Sequence, residues 1–291
     1  MATPLIENVS DTARWVAIYR AMESERPDAL FNDHLARKLA GEQGEQIVRA
    51  LLGGTEGAWT IVVRTAIFDE IILHAIEKDG VDLVLNLAAG LDSRPYRLPL
   101  PPTLRWVEVD FPGIIAHKER VLANETPRCH VERIAADLSD VAARRAVFAR
   151  VGTQGRRIFV LTEGLVMYLD ETQMAALASD LADVPTIHAW AMDLIGPFLK
   201  RILNVAWRRQ LAAGNSLFQF APREGARFFR PYGWHIKEYR GFEEEAHRLH
   251  RAPLLAKPWY GLRRFFTAST RKMVDRWAGV AVLEQRRRDA V

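Results

Sequence analysis

Asp82-Leu83-Val84-Leu85-Asn86-Leu87-Ala88-Ala89-Gly90-Leu91-Asp92-Ser93-Arg94 is the stretch whose reading decides the fold. Its first six residues form an almost unbroken apolar run, the pattern of a strand covered on both faces. The run ends at three small residues, Ala88, Ala89 and Gly90, which let a ligand approach the backbone closely. In open α/β sheets, ligands bind beyond the carboxyl ends of the strands, near the point where strand order reverses. Taken alone, the loop is also open to a plainer reading, a tight strand-to-helix turn with no ligand.

Working outward, the same theme repeats downstream. Apolar runs at 104–109, 130–135, 157–162 and 186–192 predict four more strands, separated by helical segments at 113–123, 139–150 and 170–182. Asp170 with Gln173 supplies a capping-box start for the last helix. Strands alternating with helices predict a doubly wound α/β fold with a parallel sheet. Upstream, Ser10-Asp11 is positioned to cap a helix running through Arg20, and 33–52 predicts a second helix interrupted at Gly41 and Gly44. A third helix follows at 59–78, where Ile61, Phe68, Ile71, Ile72, Ala75 and Ile76 make an apolar stripe. Toward the C-terminus, 197–213 predicts an inserted helix and 214–230 a mixed segment. Strands at 234–240 and 278–284 and a helix at 241–250 complete the pattern.

Composition bounds what such a chain does. Among 291 residues, 49% are hydrophobic and 26% charged, ordinary for a globular protein. The net charge of +4, from 40 Lys and Arg against 36 Asp and Glu, is spread along the chain. No stripe of basic residues alternates with aromatics, which argues against a nucleic-acid partner, and Arg286-Arg287-Arg288 reads as a solvated tail. Cys129 is the single cysteine, so no intrachain disulfide forms; a lone cysteine beside a strand is usually a small buried hydrophobe. Neither a signal peptide nor an uninterrupted apolar stretch of about 18 residues is visible, so a cytoplasmic protein without a membrane partner is expected. No His, Cys and Asp cluster has metal-ligand spacing, and no metal is expected.

Asp110 closes the second strand, 20 positions after Gly90, the distance a strand-helix-strand unit needs. A carboxylate there can accept hydrogen bonds from both hydroxyls of a ribose. The dinucleotide fingerprint G-x-G-x-x-G is absent, one glycine of the three being present. Without glycine spacing at a helix N-terminus there is no device for a pyrophosphate, which favours a cofactor without phosphates over a nicotinamide dinucleotide.

The loop 86–98, Asn-Leu-Ala-Ala-Gly-Leu-Asp-Ser-Arg-Pro-Tyr-Arg-Leu, closely resembles the glycine-turn signature of the leucine carboxyl methyltransferase family. Glu108-Val109-Asp110-Phe111-Pro112 with Lys118 is similar to that family's second motif, Ala136-Asp137-Leu138 to its third, and Thr162-Glu163-Gly164-Leu165-Val166-Met167-Tyr168-Leu169 to its fourth. Upstream, Arg64-Thr65 with Asp69 resembles the helix motif before the first strand. Tyr19 to Ser24, Arg26-Pro27-Asp28, Tyr232-Gly233-Trp234 and Phe242 to Leu249 resemble the bacterial, tetracenomycin-type polyketide branch. One departure is Ala88, at a turn position where the family often has glycine; its small side chain preserves the turn but disfavours a positive φ.

The resemblance implies a class I methyltransferase: a seven-stranded, mostly parallel sheet binding S-adenosylmethionine, with a small-molecule methyl acceptor. It divides a single domain, 1–291, into an N-terminal helical cap (1–80), a cofactor-binding core (81–195), and a helical lid with the C-terminal strands (196–291). It further implies that Arg64 pairs with the carboxylate of the methionine moiety, the alternative being a surface arginine. Gly90 lets the ligand approach the backbone. Asp110 holds the ribose hydroxyls, or else caps the helix that follows. Asp137 and Leu138 receive the adenine, unless Asp137 merely caps the helix near Ser139. Glu163 lies beside the ligand's positive charge, with Arg94 as the alternative partner. Tyr168 lines the acceptor pocket or belongs to the core.

For the acceptor, a carboxylate is already ionised at neutral pH and needs no general base, whereas a phenol benefits from one. No histidine pairing singles out a base. With the family resemblance, the absence of an obvious base implies carboxyl O-methylation of a small aromatic or polyketide-derived acid, with phenolic O-methylation as the alternative and a non-catalytic cofactor-binding regulator as the alternative of another class. Arg20, Arg94 and Arg97 are candidates to neutralise an acidic acceptor, or else structural ion-pair partners.

Overall fold

The computed structural model describes residues 9–50, 58–206, 217–253 and 278–285. Three helices come first: α1 (Val9–Ser24), α2 (Ala36–Ala50) and α3 (Ala58–Glu77). Strands and helices then alternate through β1 (Leu83–Leu87), α4 (Arg94–Arg97), β2 (Arg105–Asp110), α5 (Pro112–Val121), β3 (His130–Ala135), α6 (Val141–Gly152), β4 (Ile158–Thr162), α7 (Glu171–Ala182) and β5 (Ile187–Ile195). After these come α8 (Pro197–Ala206), β6 (Trp234–Gly241), α9 (Phe242–Arg248) and β7 (Ala278–Gln285). Single 3₁₀ segments occupy Val166–Tyr168 and Gly225–Tyr232.

Seven strands form one sheet in the order β3-β2-β1-β4-β5-β7-β6. The first five pair in parallel, and β7 enters antiparallel between β5 and β6. Alternation along each strand feeds two faces. Leu83, Leu85 and Leu87 of β1 pack with Val147, Phe148 and Val151 of α6 and Met174, Leu177 and Leu181 of α7. Val84 goes the other way, into Val63, Ile67 and Ile71 of α3. Covering both faces is why β1 is apolar at nearly every position, each such side chain contributing about 1.5–3 kcal/mol on burial.

Chain order reverses between β1 and β4, opening the crevice at the carboxyl ends of β1, β2, β3 and β4. The expected capping box is present at α7: Asp170 accepts from the Gln173 N–H, and the Gln173 side chain accepts from the Asp170 N–H. In α2 the interruption falls at Gly41 alone, with φ +63°. Gly44 stays helical and is packed against α1, where a Cβ would meet the Ala40 side chain at 2.9 Å and the Arg14 carbonyl at 3.2 Å. α1 already includes Ser10 and Asp11, and their side chains lie outside the described residues, as do 207–213 of the inserted helix and the arginine tail. Cys129 is buried among the apolar residues on the α3 face. Among the described residues, no helix is long and apolar enough to cross a membrane.

Candidate active site

A cavity of about 950 Å³ opens over the crevice. Arg64, Gly90, Asp110, Asp137, Leu138, Glu163, Arg20 and Tyr168 all line it, so the structure brings every sequence-predicted site residue to one place. The strand ends do the positioning: β1 delivers the loop from Ala88 to Asp92, β2 Asp110, β3 Asp137 and Leu138, and β4 Glu163.

The loop after β1 is tightly wound. Ala88 has φ +52° and Gly90 φ +49°. The Cβ of Ala88 therefore sits in the left-handed region, contrary to the sequence expectation, and the turn is held by its hydrogen bonds. Asp110 Oδ2 accepts from the Gly90 N–H and Oδ1 from the Phe111 N–H, both at 2.7 Å. The Asp92 carboxylate accepts from Asn86 Nδ2 and from the Arg94 N–H, each at 2.9 Å. Burial raises the Asp110 carboxyl above its ordinary range, against the backbone N–H groups and Lys118, which lower it. A carboxylate has about four acceptor sites, and two of Asp110's are used by backbone.

Asp137 does not cap α6. Its Oδ1 accepts from the Ser139 N–H in an exposed turn, and Asp140 is the N-cap, accepting from Ala142 and Ala143. Two apolar side chains flank this corner of the cavity with large exposed areas, Phe111 at 44% and Val141 at 45%.

Glu163 is paired without a ligand, and one of its partners is Arg94, the alternative expected from sequence. Arg94 Nη1 donates to Oε2 at 2.7 Å and Arg64 Nε to Oε1 at 3.0 Å. Burial opposes ionisation of Glu163, but Arg94 and Arg64 outweigh it and hold the carboxyl below its usual range. Arg64 is buried rather than on the surface, and its Nη1 also donates to Asp193 Oδ2 at 2.9 Å. Asp193, on β5, was missed from sequence, as was Gly164, whose N–H donates to Asp193 Oδ1 at 2.7 Å. Gly164 has φ +70°, and a Cβ there would lie 3.4 Å from Arg64 Nη1. A guanidinium carries five N–H donors, and these carboxylates take two of Arg64's.

The other arginines proposed for an acidic acceptor are engaged. Arg20 donates to Asp33 at 2.8 Å and to the Leu91 carbonyl at 2.6 Å. Arg94 also donates to Asp69 and Asp92, and Arg97 to Asp69. Tyr168 borders the cavity, packs on Phe218 at 5.3 Å and shares a hydrogen bond with Thr12; burial raises its phenol above the ordinary value. The remaining wall is largely apolar, with Trp15, Val16, Ile61, Met167, Leu199 and Leu203 among its residues. No histidine or lysine lines the cavity among the described residues.

Comparison with known proteins agrees with this architecture. A protein of Parafrankia sp. (strain EAN1pec), provisionally named an S-adenosyl-L-methionine-dependent methyltransferase, is 40% identical over 183 residues, covering 60% of this chain and 58% of that protein, less than two thirds of its length. A protein of Mycobacteroides abscessus with the same provisional name is 28% identical over 283 residues, covering 87% of this chain and 89% of its own. The crystal structure of a DUF574 family protein from Streptomyces avermitilis superposes with a TM-score of 0.61 at 17% identity, covering 94% of this chain and 97% of that one. A methyltransferase, also provisionally named, from Thermobifida fusca gives 0.58 at 13% identity, covering 97% and 96%. Likeness at these identities establishes the class I methyltransferase fold. The profile of the leucine carboxyl methyltransferase family matches residues 13–182, over half of the chain, and the chain belongs to that family.

Proposed function

We propose that the chain binds S-adenosylmethionine and transfers its methyl group to an oxygen of a small acceptor, a carboxylate of an aromatic or polyketide-type acid. The observation that carries this is the convergence of Arg64, Gly90, Asp110, Asp137 and Glu163 on one cavity. The residues fit the group chemically. The two remaining acceptor sites of Asp110 suit a pair of ribose hydroxyls. Leu138, with Phe111 and Val141, supplies apolar surface for a flat base, and Asp137 an acceptor for its amino group. The unused donors of Arg64 suit the carboxylate of the methionine moiety, and Glu163 its ammonium.

The donor supplies an electrophilic methyl on a sulfonium. In the transfer, the acceptor oxygen forms the O–C bond as the C–S bond breaks, and the bond pair stays on sulfur. The protein's share is alignment and exclusion of water. Absence of histidine and lysine from the described wall favours an acceptor already ionised, and the apolar wall favours an aromatic or acyl body. The arginines of the described wall are all paired with carboxylates, so the sulfonium itself is the charge that meets the acceptor.

Incubation with methyl-labelled donor and a panel of aromatic acids and phenols tests the reading. Methyl esters are expected. Methylation of phenols alone would replace the carboxyl assignment, and donor binding with no turnover on any acceptor would favour a non-catalytic regulator.

A further inference from the structure

Nine ionisable groups in and behind the cavity wall form one continuous chain of ion pairs. Asp193 pairs with Arg64 (2.9 Å), Arg64 with Glu163 (3.0 Å), and Glu163 with Arg94 (2.7 Å). Arg94 pairs with Asp92 (2.9 Å) and Asp69 (2.7 Å), Asp69 with Arg97 (2.6 Å), Arg97 with Asp33 (3.8 Å), and Asp33 with Arg20 (2.8 Å). Five carboxylates (Asp33, Asp69, Asp92, Glu163, Asp193) thus face four guanidiniums (Arg20, Arg64, Arg94, Arg97), leaving one negative charge over. The neighbouring cluster does not cancel it. Glu108 holds Lys118 and Arg133, and the positive charge left there is matched by Asp110.

The surplus is localised. Glu163 touches two arginines; Asp92 touches one but also accepts from the Arg94 N–H and Asn86 Nδ2, whereas Asp193 has one arginine and one backbone donor, the Gly164 N–H, with Glu163 nearby. Consistent with this, burial pushes the Asp193 carboxyl above its ordinary range, with the Glu163 charge acting in the same direction. The Asp193 side chain is 2% exposed, so water does little to screen it. A buried charge without a full complement of partners is costly, and an incoming cation relieves that cost.

We propose that this unbalanced carboxylate makes the site selective for the charge of the methyl donor, with Asp193 as a specificity-determining residue that favours the sulfonium over the neutral thioether product. The inference rests on the methyl-donor reading above. Donor and product share nucleoside, ammonium and carboxylate, and differ by one methyl and one positive charge. The surplus charge thus holds the donor and lets the spent product go.

Calorimetry on the full chain tests this with three ligands: S-adenosylmethionine, S-adenosylhomocysteine and sinefungin, which bears a protonated amine in place of the sulfonium. The two cationic ligands are expected to bind at least about tenfold more tightly than S-adenosylhomocysteine, about 1.4 kcal/mol. Asp193→Asn should bring the three affinities to within about threefold of one another. If that variant does not fold, Asp193→Ser, which also removes this charge and keeps an acceptor for the Gly164 N–H, carries the test. Equal binding of all three by the unmodified chain, or a preference retained in the folded variant, overturns the proposal and leaves the methyl-donor reading standing. Failure to bind any of the three overturns both.

Discussion

Truncating Asp110 to alanine probes the site where structure and function are most closely joined. Its two carboxylate oxygens fasten the Gly90 and Phe111 N–H groups at 2.7 Å each. A hydrogen bond to a charged acceptor contributes about 1.5–3 kcal/mol. Phe111 is exposed, so its N–H can recover a bond to water, whereas Gly90 lies half-buried in the cavity wall. One bond of the two is therefore lost outright. Burial also raises the Asp110 carboxyl, and removing a poorly solvated charge offsets part of that loss. About 1–2 kcal/mol of stability should go, roughly 2–6 °C in Tm for a chain of this size. Binding of S-adenosylmethionine should fall further, by about 1–3 kcal/mol or roughly 5- to 150-fold, since the ribose hydroxyls lose their acceptors. Thermal melts with and without ligand, paired with calorimetry, separate the two effects. Asp110→Asn, which keeps one acceptor oxygen, should fall between. A Kd for Asp110→Ala within twofold of the unmodified chain would refute the ribose assignment, whatever the change in Tm.

Further outcomes follow from single features. Ala88→Gly removes a Cβ from a residue at φ +52° and should stabilise the chain by about 0.5–1 kcal/mol; an unchanged or lower Tm would mean the turn is not strained. Tyr168→Phe should leave kcat within a few fold, because the buried phenol stays protonated and is not a base; a loss of about 100-fold or more in kcat would make the hydroxyl a participant. The Cys129 thiol, pushed up to about 12 by burial, should resist thiol reagents at pH 8 in the native state and react once in denaturant; rapid native labelling would contradict its burial. Asp33, Asp92 and Glu163 have carboxyls held below their ordinary range, so their stabilisation is complete above about pH 4–5 and is lost as pH falls through the lower folded values. Asp110 and Asp193 are raised and act in the opposite sense, but are fewer. Melting temperature should fall on acidification below about pH 4; a rise would show that the ion-pair chain does not stabilise the fold.

Strand positions were legible because β1, β4 and β5 are buried along nearly their whole length and read as apolar runs, and turn chemistry marked their ends; β3, at the sheet edge, is only partly covered. What local pattern does not carry is pairing. Nothing in residues 278–285 says that they run antiparallel between β5 and β6; the mostly parallel seven-stranded sheet came from the family resemblance. The site was legible where a carboxylate or glycine interrupts an apolar run, as at Gly90, Asp110 and Glu163. Asp193 carries the same signal, an acid interrupting an apolar run, but the strand was ended three residues early at Met192, whereas β5 continues to Ile195. The arginines were the least legible. Arg94 was named from sequence as the alternative partner of Glu163, but nothing local pairs Arg20 with Asp33 or Arg64 with Asp193; only tertiary folding brings those together. The positive φ of Ala88 was missed because a propensity does not weigh the hydrogen bonds that hold a turn.

Strand β6 pairs only with β7 among the described residues, and β7 also closes the side of β5. A nascent chain emerging from the ribosome thus has its five parallel strands available while β5 still shows a bare edge through Met192 and Leu194. Residues 234–241 cannot join the sheet until 278–285 are synthesised. Until that final insertion, the half-built sheet is a sticky intermediate, and vectorial synthesis sets how long it must be sheltered from other copies of itself.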